Sequence, residues 1–423
     1  MTAPLSLAIL GCGSRGRTYA TIAASFGDRY RLTAAADPVA VRRETVAALG
    51  RDVAVFDSAD ALFEAGKLAD VLVIATQDAQ HFGHAMAALE AGYDVLLEKP
   101  AAESLERCEA LDRRARELGR RVALGFVLRY TPFYSTVKKV IGSGRLGRVI
   151  SIRSHEGVEP FHQAHSFVRG HWRSAKGSTP MIVAKCCHDA DQLCWLGDSP
   201  VASISSYGDR TWFRAENAPA GAPERCTDGC PAAKDCLYDA HRYLGDKRRW
   251  LRMVLDGSEE AADETLLEFL RTSPWGRCVY RCDNDVVDHQ VLACELENGI
   301  TATHTMTAFD CGRTLEVYGT KAALKGGTPY EEAGASELWL RHHLDGRIEP
   351  VEILKPSDDG YAGHGGGDHG IVDALERLFR GPEALPPGLD GVAGHRLAFL
   401  AEASRVAKGE PMRPSSTSTP FAN

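Results

Sequence analysis

Over the first 125 residues, short unbroken apolar runs alternate with longer stretches whose apolar positions recur every three or four places. The runs are Leu5 to Leu10, Tyr30 to Ala36, Val53 to Phe56, Asp70 to Ala75, Asp94 to Leu97 and Val122 to Phe126. The stretches between them (Arg17 to Ala24, Val39 to Gly50, from Ser58, Gln80 to Ala91 and Ser104 to Leu118) read as helices. Strands that are apolar throughout, separated by helices, imply a parallel sheet covered on both faces. After about Tyr130 the pattern changes. Val149 to Arg153 and Val201 to Tyr207 read as strands. Asn298-Gly299 and Asp345-Gly346 are turn signals for hairpins spanning Val291 to Met306 and Leu338 to Leu354.

The expected fold class is α/β. An N-terminal Rossmann domain with a doubly wound parallel sheet (1–125) precedes an α+β domain with an open, mainly antiparallel sheet (126–410). A tail rich in Ser, Thr and Pro (411–423) closes the chain and is expected to be disordered from Pro414. Arg214 to Arg225 reads as an insertion loop, and a helix from Gly391 to Lys408 is expected to pack back on the core.

The first strand runs into Gly11-x-Gly13-x-x-Gly16, followed by a helix. That order suits a dinucleotide. The first glycine makes the tight turn, the second admits the pyrophosphate, and the third lets helix pack on strand. Ser14 and Arg15 lie inside the same turn. The second strand ends in Asp37, at the spacing where a carboxylate accepts hydrogen bonds from the adenosine ribose and repels a 2′-phosphate. NAD is therefore expected over NADP, with Arg42 and Arg43 read as a solvated helix face.

Bulk properties exclude some partners. The 423 residues are 44% hydrophobic and 25% charged, with a net charge of −8, which argues against nucleic acid. No window approaches eighteen apolar residues, so no membrane span is expected, and no export signal is visible. Twelve cysteines are too dilute for a disulfide scaffold, and a cytoplasmic location is expected.

Ligands of an open α/β sheet lie beyond the carboxyl ends of its strands. There the chain carries Thr76-Gln-Asp78-Ala-Gln-His81 after one strand and Glu98-Lys99-Pro100 after the next. Thr76, Asp78, His81, Glu98 and Lys99 are therefore expected on the cofactor side, and Lys99 suits hydrogen bonding to an alcohol or carbonyl oxygen during hydride transfer.

Several motifs in order resemble the glucose–fructose oxidoreductase/inositol dehydrogenase (Gfo/Idh/MocA) family. They are Gly11-Cys-Gly-Ser-Arg-Gly16, Ala36-Asp-Pro38, Ala75-Thr-x-Asp-x-x-His81 and Ala91-Gly-Tyr-Asp-Val-Leu-Leu-Glu-Lys-Pro100. Gly125-Phe-Val-Leu-Arg129-Tyr130-x-Pro132 and the helix Lys185-Cys-Cys-His188 to Gly197 extend the likeness over nearly the whole chain. The resemblance implies NAD-dependent oxidation or reduction of a secondary hydroxyl on a sugar, cyclic polyol or glycoside. It also implies a homodimer or homotetramer. Lys99 matches the family lysine between nicotinamide and substrate, and His188 the histidine facing the substrate. Many relatives carry an acid four residues before that histidine; here the position is Ala184, and Lys185 is expected to share the helix face of His188 and take over some of its work. The departure leaves an alternative open: a redox-neutral glycosidase that oxidises, eliminates, hydrates and reduces, for example on amino-sugar or sulfoquinovose glycosides.

Further substrate contacts are expected from Arg129, Tyr130, the loop His171-Trp172-Arg173, and the glycine-rich turn His364-Gly-Gly-Gly-Asp368. Tyr130 reads equally as core, and the glycines equally as a loop's conformational need. Asn284 to Gln290 reads either as a strand facing the site or as structural, and Asp189 and Asp191 are given no role. Cys12, Cys108, Cys187, Cys194, Cys294 and Cys311 read as buried apolar residues. Cys226-x3-Cys230-x5-Cys236, completed by Cys278, offers the four thiolates of a structural zinc, with reduced thiols as the alternative.

Overall fold

Two sheets, each covered by helices, organise the chain in a computed structural model that describes residues 3–255, 257–328, 336–353 and 363–414. The first is parallel throughout. Its strands are β1 (Leu5–Leu10), β2 (Tyr30–Ala36), β3 (Ala54–Phe56), β4 (Val71–Ile74), β5 (Asp94–Leu97) and β6 (Arg121–Leu124). Between them run α1 (Ser14–Ser25), α2 (Ala40–Ala47), α3 (Ala59–Glu64), α4 (Asp78–Glu90) and α5 (Leu105–Glu117). Every side chain of β1, β4 and the inner end of β5 is buried, which is why these strands lack a polar alternation.

The connection to the second half is α6 (Pro132–Gly142), started by Pro132 and by the Thr131 hydroxyl, which accepts from the Tyr134 N–H at 3.1 Å. Next come β7 (Val149–Val158), the short α7 (Pro160–His162) that continues as a π-helix over Gln163–Arg169, α8 (Met181–Ala184), α9 (Cys187–Gly197) and β8 (Val201–Asp209). After α10 (Asp263–Thr272) follow β9 (His289–Leu296), β10 (Thr301–Thr307), β11 (Cys311–Gly319), β12 (Ala322–Thr328), β13 (Glu337–His342) and β14 (Ile348–Pro350). The second sheet is ordered β14-β13-β12-β11-β7-β10-β9-β8, antiparallel except for the β7–β10 pair. Its inner face packs on α6, α9 and α12 (Val392–Val406) around Ile152, Leu193, Leu292, Met306, Val317 and Leu397.

The chain then returns. After α11 (Gly367–Phe379), strand β15 (Gly388–Asp390) pairs in parallel with β6 and completes a seven-stranded first sheet ordered β15-β6-β5-β4-β1-β2-β3. The expected terminal helix is α12. Both expected hairpins form, as β9–β10 and β13–β14; Leu354 and the tail beyond Pro414 lie outside the described residues.

Two expectations are corrected, for Lys185 and Arg43, and for Asn284 to Asp288 the structural alternative is the one observed. The helix read from Lys185 is broken: α8 ends at Ala184 and α9 begins at Cys187, so Lys185 sits in the kink rather than on one continuous face with His188. Asn284 to Asp288 is loop, and the buried Asp288 carboxylate caps the N–H groups of Thr211 and Trp212 at 2.8 and 2.7 Å, a structural duty. Arg43 is not merely solvated, since its guanidinium donates to the carbonyls of Asp37 and Pro38.

Candidate active site

The glycine turn has the geometry its sequence demands. Gly11 sits at φ +90°, donates its N–H to the Ala36 carbonyl at 2.8 Å, and has no room for a side chain, because a Cβ would meet the Ala75 carbonyl oxygen at 2.5 Å. A Cβ at Gly16 would fall 1.9 Å from the Gly11 oxygen, so only glycine lets α1 lie this close to β1. Gly13 differs: nothing lies within 4 Å of its would-be Cβ, and it opens onto space at the N-terminus of α1, beside Ser14. Asp37 closes the cradle; its two carboxylate oxygens accept the N–H groups of Cys12 and Val39, both at 2.8 Å, leaving further lone pairs for ribose hydroxyls. Open space at Gly13, a helix N-terminus and a fixed carboxylate fit a dinucleotide.

Arg15 does something the motif does not announce. Its guanidinium donates to Glu98 (2.6 Å), to the Tyr19 hydroxyl (2.6 Å) and to both oxygens of Asp368 (2.8 and 2.9 Å). Burial alone would raise the Glu98 pKa, but Arg15, Tyr19 and Lys99 hold it below the usual carboxylate range. Asp368 is likewise held low despite burial, by His364 and Arg15. Arg15, Glu98, His364 and Asp368 thus form one network that ties α1, the end of β5 and the start of α11 together.

Past β4, Thr76 hydrogen-bonds the His84 ring. His81 is buried with its two ring nitrogens facing the carbonyls of Pro100 (2.7 Å) and Thr76 (3.1 Å), which fixes the two strand ends against each other. Asp78 accepts the Trp172 indole N–H at 2.8 Å, joining the first half to the 171–173 loop. His171 packs its ring 5.4 Å from Trp275, and Arg173 pairs with Asp283 at the surface.

Lys99 reaches across from β5 and donates to the Ala184 carbonyl at 3.0 Å, at the end of α8. His188, from the first turn of α9, lies beside it with Nδ1 buried and without a partner. Burial, then the charges of Lys99, His364, Arg313 and Lys185, hold its pKa well below the usual imidazole value. A neutral imidazole keeps one unprotonated ring nitrogen and so can accept a proton. Lys185 pairs with the buried Glu156 at 3.1 Å; Arg313 pairs with Glu156 (2.6 Å) and Asp189 (3.1 Å). Burial opposes the Arg313 charge, but Glu156 and Asp189 more than restore it.

Glu156, Asp189, Arg313 and His162 were not found from the sequence. His162 stays neutral for the same reasons as His188: burial first, then Lys185, His165 and Lys99. A signal existed for Glu156. It lies on a strand flanked by β10 and β11 on both sides, where a charge is buried and must have a partner.

Two substrate candidates take other parts. Arg129 grips Asp191 (2.5 and 2.6 Å) and Asp390 (3.0 Å), linking the turn after β6 to α9 and β15. Its charge persists although burial opposes it, and Asp191, left without a role by the sequence, is the counterion. Tyr130 packs against the core that α1 shares with α11, its hydroxyl pushed up by burial, which favours the core reading.

These buried imidazoles set an acid limit. His162 and His188 lie well below their usual value, His165 is pulled down to about 3, and His304 and His395 to about 4, burial being the largest cause each time. The unfolded chain titrates its histidines near 6.5, so between about pH 6.5 and 4 it binds protons that the native state refuses. Stability present at neutral pH therefore falls on acidification by about 1.4 kcal/mol per pH unit for each histidine. Asp191, raised to about 6 by burial, opposes this with one proton of the other sign. Unfolding is expected to begin below about pH 6. A far-ultraviolet dichroism titration checks it, and an unchanged spectrum at about pH 4 contradicts it.

The fold and cradle define a dinucleotide-dependent oxidoreductase, and sequence comparison agrees. Residues 5–126 match the oxidoreductase family profile for an NAD-binding Rossmann fold, and residues 138–338 match that family's C-terminal alpha/beta domain. The chain belongs to the Gfo/Idh/MocA oxidoreductase family. YteT of Bacillus subtilis, named only as an oxidoreductase, is 26% identical over 328 residues, 75% of this chain and 73% of its own. An NAD(+)-dependent scyllo-inositol 2-dehydrogenase of the same organism is 27% identical over 48% of this chain and 56% of its own length. This chain thus spans little more than half of that relative. Among solved structures, an Agrobacterium radiobacter oxidoreductase in complex with NAD+, L-tartaric acid and magnesium superposes with a TM-score of 0.68 at 14% identity, over 97% of this chain and 98% of its own. An aldose–aldose oxidoreductase from Caulobacter crescentus gives 0.67 at 15%, over 97% and 99%.

Proposed function

We propose that this chain interconverts a secondary hydroxyl and a ketone on a sugar, cyclic polyol or glycoside, with NAD as redox partner. The observation that carries the reading is Lys99 and the neutral His188 meeting beyond the carboxyl ends of β4 and β5, beside the glycine cradle. NAD+, when bound, supplies the hydride acceptor. The α1 N-terminus and Gly13 hold its pyrophosphate, and Asp37 selects its unphosphorylated ribose. Lys99 donates to the substrate oxygen and steadies negative charge there, while His188 takes the hydroxyl proton at its unprotonated ring nitrogen. Lys185, paired with Glu156, sits at the kink before α9, and its charge is among those that keep His188 neutral. His364, whose ring centre lies 6.5 Å from that of His188, borders the same space.

Purified protein given NAD+ and a panel of inositols, aldoses and glycosides is expected to form NADH with some members and to prefer NAD+ to NADP+. Asp37→Ser is expected to erode that preference. No NADH with any polyol or sugar would overturn the reading. Nothing in the structure favours the redox-neutral glycosidase, and phenol release from an aryl glycoside without NADH would restore it. All twelve cysteines are unpaired, which fits the reducing cytoplasm. The outer face of the second sheet exposes Ile150, Tyr207, Val291, Trp339 and Ile348, and we assign it to self-association as a dimer or tetramer. Sedimentation equilibrium reads this directly; a monomer at micromolar concentration rejects it.

A further inference from the structure

Residues 210 to 288 form a lobe beside the second sheet, built mainly from single 3-10 turns; among its described residues α10 is the one helix of eight residues or more. Two small apolar clusters hold it, one around Phe213, Tyr238 and Tyr280 and one around Tyr243, Leu251 and Leu266. Such an assembly has little core for its length and needs a staple.

Between the turns lies a small void of about 10 Å³, the space of one small ion or water, whose lining includes Cys226, Cys230, Cys236 and Cys278. Four cysteines from two stretches of chain, 226–236 and 278, line it. Cys282 does not line it, and its thiol instead faces the Cys278 carbonyl at 3.3 Å.

A second observation concerns charge. Arg169, the last residue of the π-helix, is 1% exposed and also lines the void. Its guanidinium donates to the carbonyls of Arg277 (2.8 Å) and Tyr238 (2.7 Å) and reaches the Cys226 sulfur at 3.6 Å. Its Nη1 has no hydrogen-bond partner, and among the described residues no carboxylate pairs with it. Asp239, the remaining acid on the void, is engaged by His241 through Oδ1 and leaves Oδ2 unmet. A fully buried cation without a counterion is costly. Neutral thiols do not relieve it.

We propose that these four cysteines bind a structural zinc ion and that Arg169 is its outer-sphere counter-charge. Binding exchanges four thiol protons for one Zn²⁺ with no change of oxidation state, and leaves a tetrathiolate of net charge −2 against the guanidinium. No three of these sulfurs yet lie within 4.8 Å of one another, so the side chains turn inward on binding. Among the described residues, the one group of ligand atoms at that spacing, Cys186, Asp189 and His304, has Arg313 on its carboxylate and is a poor cation site. The staple acts at a useful place. Arg169 bonds to carbonyls next to Cys278 and near Cys236, and its π-helix leads directly from His162 beside Lys185, so the metal braces one wall of the candidate active site.

Elemental analysis of the as-purified full chain is expected to show one zinc per chain, with four of the five lobe thiols protected from a thiol reagent until chelator is added. Replacing the metal with Co²⁺ is expected to give the intense charge-transfer and d–d bands of tetrahedral thiolate coordination. Cys236→Ser is expected to abolish binding and lower the melting temperature, Cys282→Ser to keep one zinc, and Arg169→Met to weaken zinc affinity about tenfold or more. Metal-free protein that takes up neither Zn²⁺ nor Co²⁺ and whose lobe thiols all react would overturn the proposal. So would loss of zinc in Cys282→Ser with retention in Cys236→Ser.

Discussion

Lys99→Ala is expected to lower kcat/KM with the best sugar or polyol substrate by about a thousandfold, or about 4 kcal/mol of transition-state stabilisation. Lys99 reaches from the end of β5 to the side where His188 waits, and its ammonium donates to the Ala184 carbonyl at 3.0 Å. Removing it leaves no donor for charge developing on the substrate oxygen. It also relieves His188 of its nearest positive neighbour, so the lower pH limb of the remaining activity should move toward the ordinary imidazole range. Dinucleotide affinity and melting temperature are expected to change little. Steady-state kinetics across pH, with calorimetry for NAD+, separates these effects. A variant retaining a tenth or more of wild-type kcat/KM would remove Lys99 from the chemistry.

The largest loss of stability is expected from Arg15→Met. Glu98 and Asp368 are buried carboxylates that share this one guanidinium; Arg15 is the first group holding Glu98 ionised, with Tyr19 beside it, and Asp368 is held by His364 and Arg15 together. Breaking a buried ion pair on one side costs about 3–5 kcal/mol, because the orphaned charges stay desolvated. The two carboxyls are then expected to bind protons, so the deficit shrinks on mild acidification, opposite to the acid sensitivity of the parent protein. Denaturant titrations at pH 7.5 and 6 test both parts. An unfolding free energy within about 1 kcal/mol of the parent would show the network to be incidental.

Much of the first sheet was legible because it is local. Each parallel strand is an apolar run, each crossover a helix, and the glycine turn and Asp37 are fixed by spacing along the chain. What stayed hidden depends on residues distant in sequence. Nothing near Arg15 announces Asp368, and nothing near Arg129 announces Asp390. Both arginines therefore looked available for ligands when they are already paired. The kink at Lys185 was missed because neither residue at the break is a helix breaker; packing of Lys185 toward Glu156 on β7 decides it. His162 escaped notice because it lies in α7, three residues long and too short to leave a periodic pattern. The pairing of Lys99 with His188 could be anticipated only through family likeness, since the two lie on different halves of the molecule.

Strand β15 comes from the last tenth of the chain yet lies against β6 of the first sheet. During synthesis β6 therefore emerges with one edge unpaired and waits until residues 388–390 have been made before that neighbour arrives. Arg129 waits too, because Asp390 is released at the same late moment. Closure of this border is thereby coupled to residues far along the chain, and a polypeptide that stops before Gly388 leaves β6 as an unpaired edge.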